Sequence, residues 1–169
     1  MADFEVRAID PGVVDELMGC DDAGNPPRLL TDDEGGSPLR CCLRPAEPGE
    51  DIALVSYAPL RRWAGETGAR PGPYDELGPV FIHPGRCPGP DGTGYPEWLA
   101  RGRRVFRAYS ASGEILGGRL FDPEPGGGPA AASRLLAELL DDPAVALVHA
   151  RAVEFGCFTF EVRRAGPAR

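Results

Sequence analysis

The sequence predicts an α+β fold: a mostly antiparallel, curled or half-open-barrel sheet of about seven to eight strands, with two short helices. Three observations lead there. Short stretches of alternating apolar and polar residues recur along the chain, the period of a strand with one buried face. Only two stretches, around 11–18 and 129–140, repeat with the period of a helix, and they lie far apart. The most β-rich stretch, 144–162, is longer than an ordinary strand of about 5–6 residues and is interrupted by Gly156, which marks a turn or bulge. Runs of strands with widely separated helices are the pattern of α+β architecture.

Taken in order, residues 4–9 alternate and read as a strand. Asp10 is suited to an N-cap, Pro11 to the first helical position and Gly19 to the end, with Val13, Val14, Leu17 and Met18 as an apolar stripe. Residues 20–37 are acidic and rich in Gly and Pro, so they read as a long ordered loop. Residues 39–44 show period two, with Leu39, Cys41 and Leu43 on one side and Arg40, Cys42 and Arg44 on the other. A strand follows over 51–58, an irregular stretch over 60–78, and a short strand over 79–83 that ends at Pro84. Residues 84–98 form a second long loop, and a helical turn is expected within 95–101. Residues 103–109 and 114–121 flank a Ser-Ala-Ser-Gly turn as a hairpin, and 122–128 link it to the helix of Ala132, Leu135, Leu136, Leu139 and Leu140. In the closing unit, Leu147, His149 and Arg151 share one face, and Cys157, Thr159 and Glu161 oppose Phe158, Phe160 and Val162.

A chain of 169 residues is expected to form a single domain over 1–169 with its own core. Its 23 Gly and 19 Pro cluster in connecting segments, which favours long loops over disorder. A net charge of −8 argues against nucleic acid or an anionic membrane as partner. Every one of the 18 basic residues is arginine, so lysine Schiff-base chemistry and an ordinary phosphate-binding P-loop are excluded. The N-terminus has no basic segment followed by an apolar one, and no apolar run approaches the ~20 residues that span a bilayer. Five cysteines, two of them adjacent, do not form a secreted disulfide framework. The expected compartment is cytoplasmic.

The blocks Pro38–Arg44 (PLRCCLR), Gly78–His83 (GPVFIH) with Cys87, and His149–Cys157 (HARAVEFGC) resemble the signature blocks of the bacterial domain of unknown function 1203 family. The resemblance spans roughly 38–163 and implies a small stand-alone bacterial protein, with no activity attached.

The residues themselves suggest three chemistries. His83, Cys87, His149 and Cys157 would supply four donors for zinc or a related transition metal, although H-x3-C and H-x7-C are not zinc-finger spacings. Cys42, between Arg40 and Arg44, or Cys157, after His149 and Arg151, would be a nucleophile or redox thiol if a nearby base or cation favours the thiolate. Cys41, beside Leu39 and Leu43, reads as a packing residue. Arg40 and Arg151 alternate with apolar residues inside expected strands and are suited to holding an anion. Together these predict a small enzyme or enzyme-like protein acting on a small organic anion. His83, His149 and Cys157 would be catalytic, Arg40 and Arg151 would hold substrate, and Cys87 would join the metal set. The alternative is a non-catalytic module that binds a small molecule or a protein.

Overall fold

Strand alternation and two antiparallel sheets organise the chain, as seen in a computed structural model that describes residues 2–123 and 127–166. In chain order the elements are β1 (Phe4–Arg7), α1 (Pro11–Gly19), β2 (Arg28–Asp32), β3 (Glu50–Tyr57), α2 (Pro59–Thr67), β4 (Gly78–Ile82), β5 (Arg104–Tyr109), β6 (Ile115–Phe121), α3 (Pro129–Asp141), β7 (Leu147–Ala152) and β8 (Phe158–Arg164). Single 3-10 turns lie at Gly72–Tyr74 and Glu97–Arg101. Among the described residues the fold is α+β with eight antiparallel strands in two sheets, ordered β1-β8-β7-β5-β6 and β2-β3-β4, and no closed barrel.

The hairpins form where turn chemistry allows them. Gly113 (φ 91) turns β5 into β6, and Gly156 (φ 67) turns β7 into β8, where Ala152 N–H donates to Cys157 O at 3.0 Å. Asp10 caps α1 by accepting from Gly12 N–H at 2.8 Å. The five-stranded sheet packs against α3 around Phe106, Phe121, Leu136, Leu140, Val148 and Phe160. A second core joins Leu17 of α1, Leu39, Ile52, Val80, Ile82 and Phe158, so β8 carries packing from one sheet to the other.

Four features differ from the sequence expectation. The single curled sheet is two sheets, because β2, β3 and β4 pair with no strand of the five-stranded sheet. Residues 20–37 contain β2, an edge strand whose side chains lie mostly in solvent, so it has no apolar period to read. Residues 60–78 contain most of α2, whose apolar anchors are few (Leu60 and Trp63) but whose ends carry Pro59 and an αL cap at Gly68 (φ 78). That makes three helices rather than two. Residues 39–44 form a tight loop instead of a strand, and residues 39–43 are all buried, so its alternation does not correspond to two faces. Part of the expected 122–128 linker, residues 124–126, lies outside the described residues.

Candidate metal centre

The 38–45 loop is closed by short-range backbone bonds. Leu39 N–H donates to Arg44 O at 3.0 Å, and Leu43 N–H donates to Leu39 O at 2.9 Å. Closing it puts Leu43 in the left-handed region (φ 58), the one such non-glycine among the described residues. That conformation costs a bulky residue about 1–2 kcal/mol, and the loop is held to it by the buried Leu43 side chain and a hydrogen bond from Trp98 Nε1–H to Leu43 O. Strain of this kind concentrates at functional sites. Its effect here is to turn the adjacent Cys41 and Cys42 both inward. The loop then docks on the sheet, with Arg40 N–H donating to Phe81 O at 2.9 Å. This places the two thiols beside His83, the residue after β4.

His83 and Cys87 complete the group. The ligand atoms of Cys41, Cys42, His83 and Cys87 all lie within 4.8 Å of one another. His83 Nδ1 is 3.1 Å from Cys41 Sγ and 3.9 Å from Cys42 Sγ. Donors around a tetrahedral zinc with Zn–S near 2.3 Å stand about 3.8 Å apart, so closure of the shell needs shifts of about an ångström. Cys41 Sγ also accepts His83 N–H at 3.3 Å, and the backbone amides of Arg44 and Gly89 act to lower the pKa of Cys42 and Cys87. Donors aimed at sulfur favour thiolate over thiol.

The far side of the imidazole is equally organised. His83 Nε2 lies 2.8 Å from Glu50 Oε1, and Arg44 forks onto Glu50 at 2.6 and 2.9 Å. Arg44 Nη2, a donor, also stands 2.9 Å from His83 Nε2; the Nε2–H tautomer, which a metal at Nδ1 would require, donates to Glu50 and leaves the Nδ1 lone pair facing the sulfurs, the carboxylate–histidine arrangement of metal sites. The Arg44 hydrogen bonds hold the Glu50 carboxyl down at about 2, against burial and helped by Glu47 N–H and His83. Among the sulfurs, the hydrogen bond from Cys41 pulls the Cys42 thiol down, against burial and with help from Arg44 N–H and nearby cationic groups. That hydrogen bond and burial push Cys41 up, and burial pushes Cys87 up. The directions of these shifts make Cys42 the more acidic thiol of the pair.

The structure gathers His83 and Cys87 with Cys41 and Cys42 rather than with His149 and Cys157. His149 is fully buried on β7, with ring centroids 4.8 Å from Tyr109 and 5.1 Å from Phe158. Neither of its nitrogens has a hydrogen-bond partner, and Glu161 Oε2 stands 3.8 Å from Nε2, too far for one. Arg40 is buried and donates to the backbone carbonyls of Phe158 (2.8 Å) and Pro38, an arrangement that braces the loop; burial first, then Arg104, lowers its pKa to about 10. Arg151 donates to Gly156 O at 2.7 Å and to Glu76. Cys157 is half-buried beside it at the β7–β8 turn. Sequence reasoning missed Cys41 and Cys42 as ligands and missed Glu50 entirely; the adjacent cysteine pair was the available signal.

Cys42 also forms part of the wall of a cleft of about 520 Å3, with Arg44, Tyr95, Trp98 and Arg101 around it. No helix of the structure is long and apolar enough to cross a membrane among the described residues. No curated protein and no solved structure matches the chain. The family model described as protein of unknown function (DUF1203) matches residues 36–164, which include all four candidate ligands, the bracing Arg40 and both hairpins. The chain therefore belongs to the DUF1203 family of proteins of unknown function.

Proposed function

We propose that this protein binds a zinc-class transition metal through Cys41 Sγ, Cys42 Sγ, Cys87 Sγ and His83 Nδ1. The observation that carries this reading is the convergence of four soft donors within 4.8 Å, with His83 N–H donated to Cys41 Sγ. Three thiolates and one imidazole match the composition of closed structural zinc sites. Binding releases the protons of Cys41 and Cys87, ties the 38–45 loop to the segment after β4, and leaves Cys42 at the wall of the cleft. The partner we propose for that cleft is a small organic anion, supported by Arg44 and Arg101, with neither nucleic acid nor membrane as partner, given the net charge of −8. A bacterial cytoplasm, where five unpaired thiols stay reduced, fits this chemistry.

The metal test is mass-spectrometric metal content of tag-free protein purified without chelator. About one zinc per chain is expected, lost in Cys42→Ser and His83→Ala and kept in Cys157→Ser. Metal-free wild type, or metal retained by His83→Ala, would sink this reading. A second reading, enzymatic thiol chemistry on the same anion, is favoured by one observation: Cys42 lines the cleft beside Arg44. It predicts that metal-free protein is alkylated at Cys42 faster than at the exposed Cys20.

A further inference from the structure

The turn between β7 and β8 and the segment leading into β4 enclose a second cleft of about 350 Å3. It shares no lining residue with the cleft at Cys42. Arg107 on β5 lies opposite His149, and Arg151 is two residues further along β7, so both arginines rise from the same face. Two cations so placed repel unless an anion sits between them. Glu76 Oε1 fills that role, accepting from Arg107 Nη1 at 2.6 Å and also from Arg151 Nη2.

The partners differ in how firmly they are built in. Arg151 is anchored by its bond to Gly156 O, its side chain is 9% exposed, and its Nε has no hydrogen-bond partner. The anion comes instead from a side chain 44% exposed, on an irregular segment. Around it stand apolar groups that solvent reaches: Phe155 (84% exposed) and Leu77 (43%), with Tyr57 and Phe158 deeper in. A burial-fixed arginine with an unpartnered donor, and an exposed aromatic at the rim, are features of a ligand site.

We propose that Arg107 and Arg151 form the anion-binding end of a site for a small carboxylate with an aromatic or other apolar body, and that Glu76 is its built-in competitor. The ligand carboxylate displaces Glu76 from the two guanidinium groups, and its body packs against Phe155, Leu77 and Tyr57. Cys157, which lines the same cleft, reports occupancy. The site uses no residue of the metal centre, so the two proposals fail separately.

Benzoate titrated into the full chain by calorimetry tests this, with alkylation of Cys157 by iodoacetamide followed by mass spectrometry. Saturable binding is expected in wild type, at least about fivefold tighter in Glu76→Gln because the competitor is gone. Arg107→Gln should abolish it, and benzamide, the same shape without charge, should not bind. Benzoate should slow alkylation of Cys157 and leave that of Cys20 unchanged. Absence of saturable binding in both wild type and Glu76→Gln, full affinity in Arg107→Gln, or equal binding of benzamide would overturn the proposal. Should Arg107→Gln fail to fold, the benzoate–benzamide contrast and Cys157 protection decide it.

Discussion

Glu50 touches no candidate metal position, yet as an acceptor 2.8 Å from His83 Nε2 it favours a proton there and a free lone pair on the Nδ1 that faces the sulfurs. Glu50→Gln is therefore expected to weaken zinc binding by about 10–100-fold, measured by competition with a chromophoric chelator; unchanged affinity would remove Glu50 from the site. His149 invites a different experiment. Burial first, and then Arg151 on β7 and Arg107 on β5, hold its pKa below the ordinary value, while Glu161 on β8 opposes them. The unfolded chain thus takes up a proton near pH 6.5 that the folded chain refuses. The stability His149 contributes is complete above that pH and is lost as pH falls below it. Denaturant unfolding from pH 7.5 to 5 should show that decline, and His149→Phe, which suits the surrounding rings, should flatten it; an equal slope in both would refute the assignment. His83 and Cys87 were legible as candidate ligands because His and Cys invite that reading, and the structure sets them in one cluster. Cys41 was not, because alternation with Leu39 and Leu43 mimics a packed strand face, and a loop closed by one strained leucine leaves no period to detect.

Among the elements, β5, β7, β8, α1 and α3 were readable because each presents an apolar stripe to a core, which fixes its period, and β6 because a turn at Gly113 returns it along β5, although only Phe121 of it is buried. The two that were missed lack that stripe. β2 holds its place by backbone pairing with β3, and α2 by two anchors and its end signals. Gly68, the αL cap of α2, isolates the second cause, since an added Cβ there meets nothing within 4 Å. Gly68→Ala should cost about 1 kcal/mol in urea unfolding from backbone conformation alone. No loss would mean that the helix end relaxes freely, leaving α2 to Leu60 and Trp63.

For the whole molecule, the two sheets imply two responses to metal. Cys41, Cys42 and Cys87 belong to the core of α1 and the three-stranded sheet, whereas α3 and the five-stranded sheet have their own. Removing metal with a chelator should lower Tm and, by hydrogen exchange, strip protection from residues 39–45 and 83–89 while sparing β7. Uniform loss across both sheets would show that they respond as one unit.

The pairing of Phe4 with Arg164 has a consequence in time. All four candidate ligands and the three strands of the β2-β3-β4 sheet lie before residue 88, so that sheet can pair while the rest of the chain is still being made, and the braces from Trp98 and Phe158 reach the 38–45 loop later. β1, by contrast, finds its partner strand only when the last residues of β8 have been made. Loop closure over such a separation is slow relative to local pairing. During synthesis the ligand-bearing sheet is thus expected to acquire protease resistance first, with β1 waiting as an unpaired strand until the end.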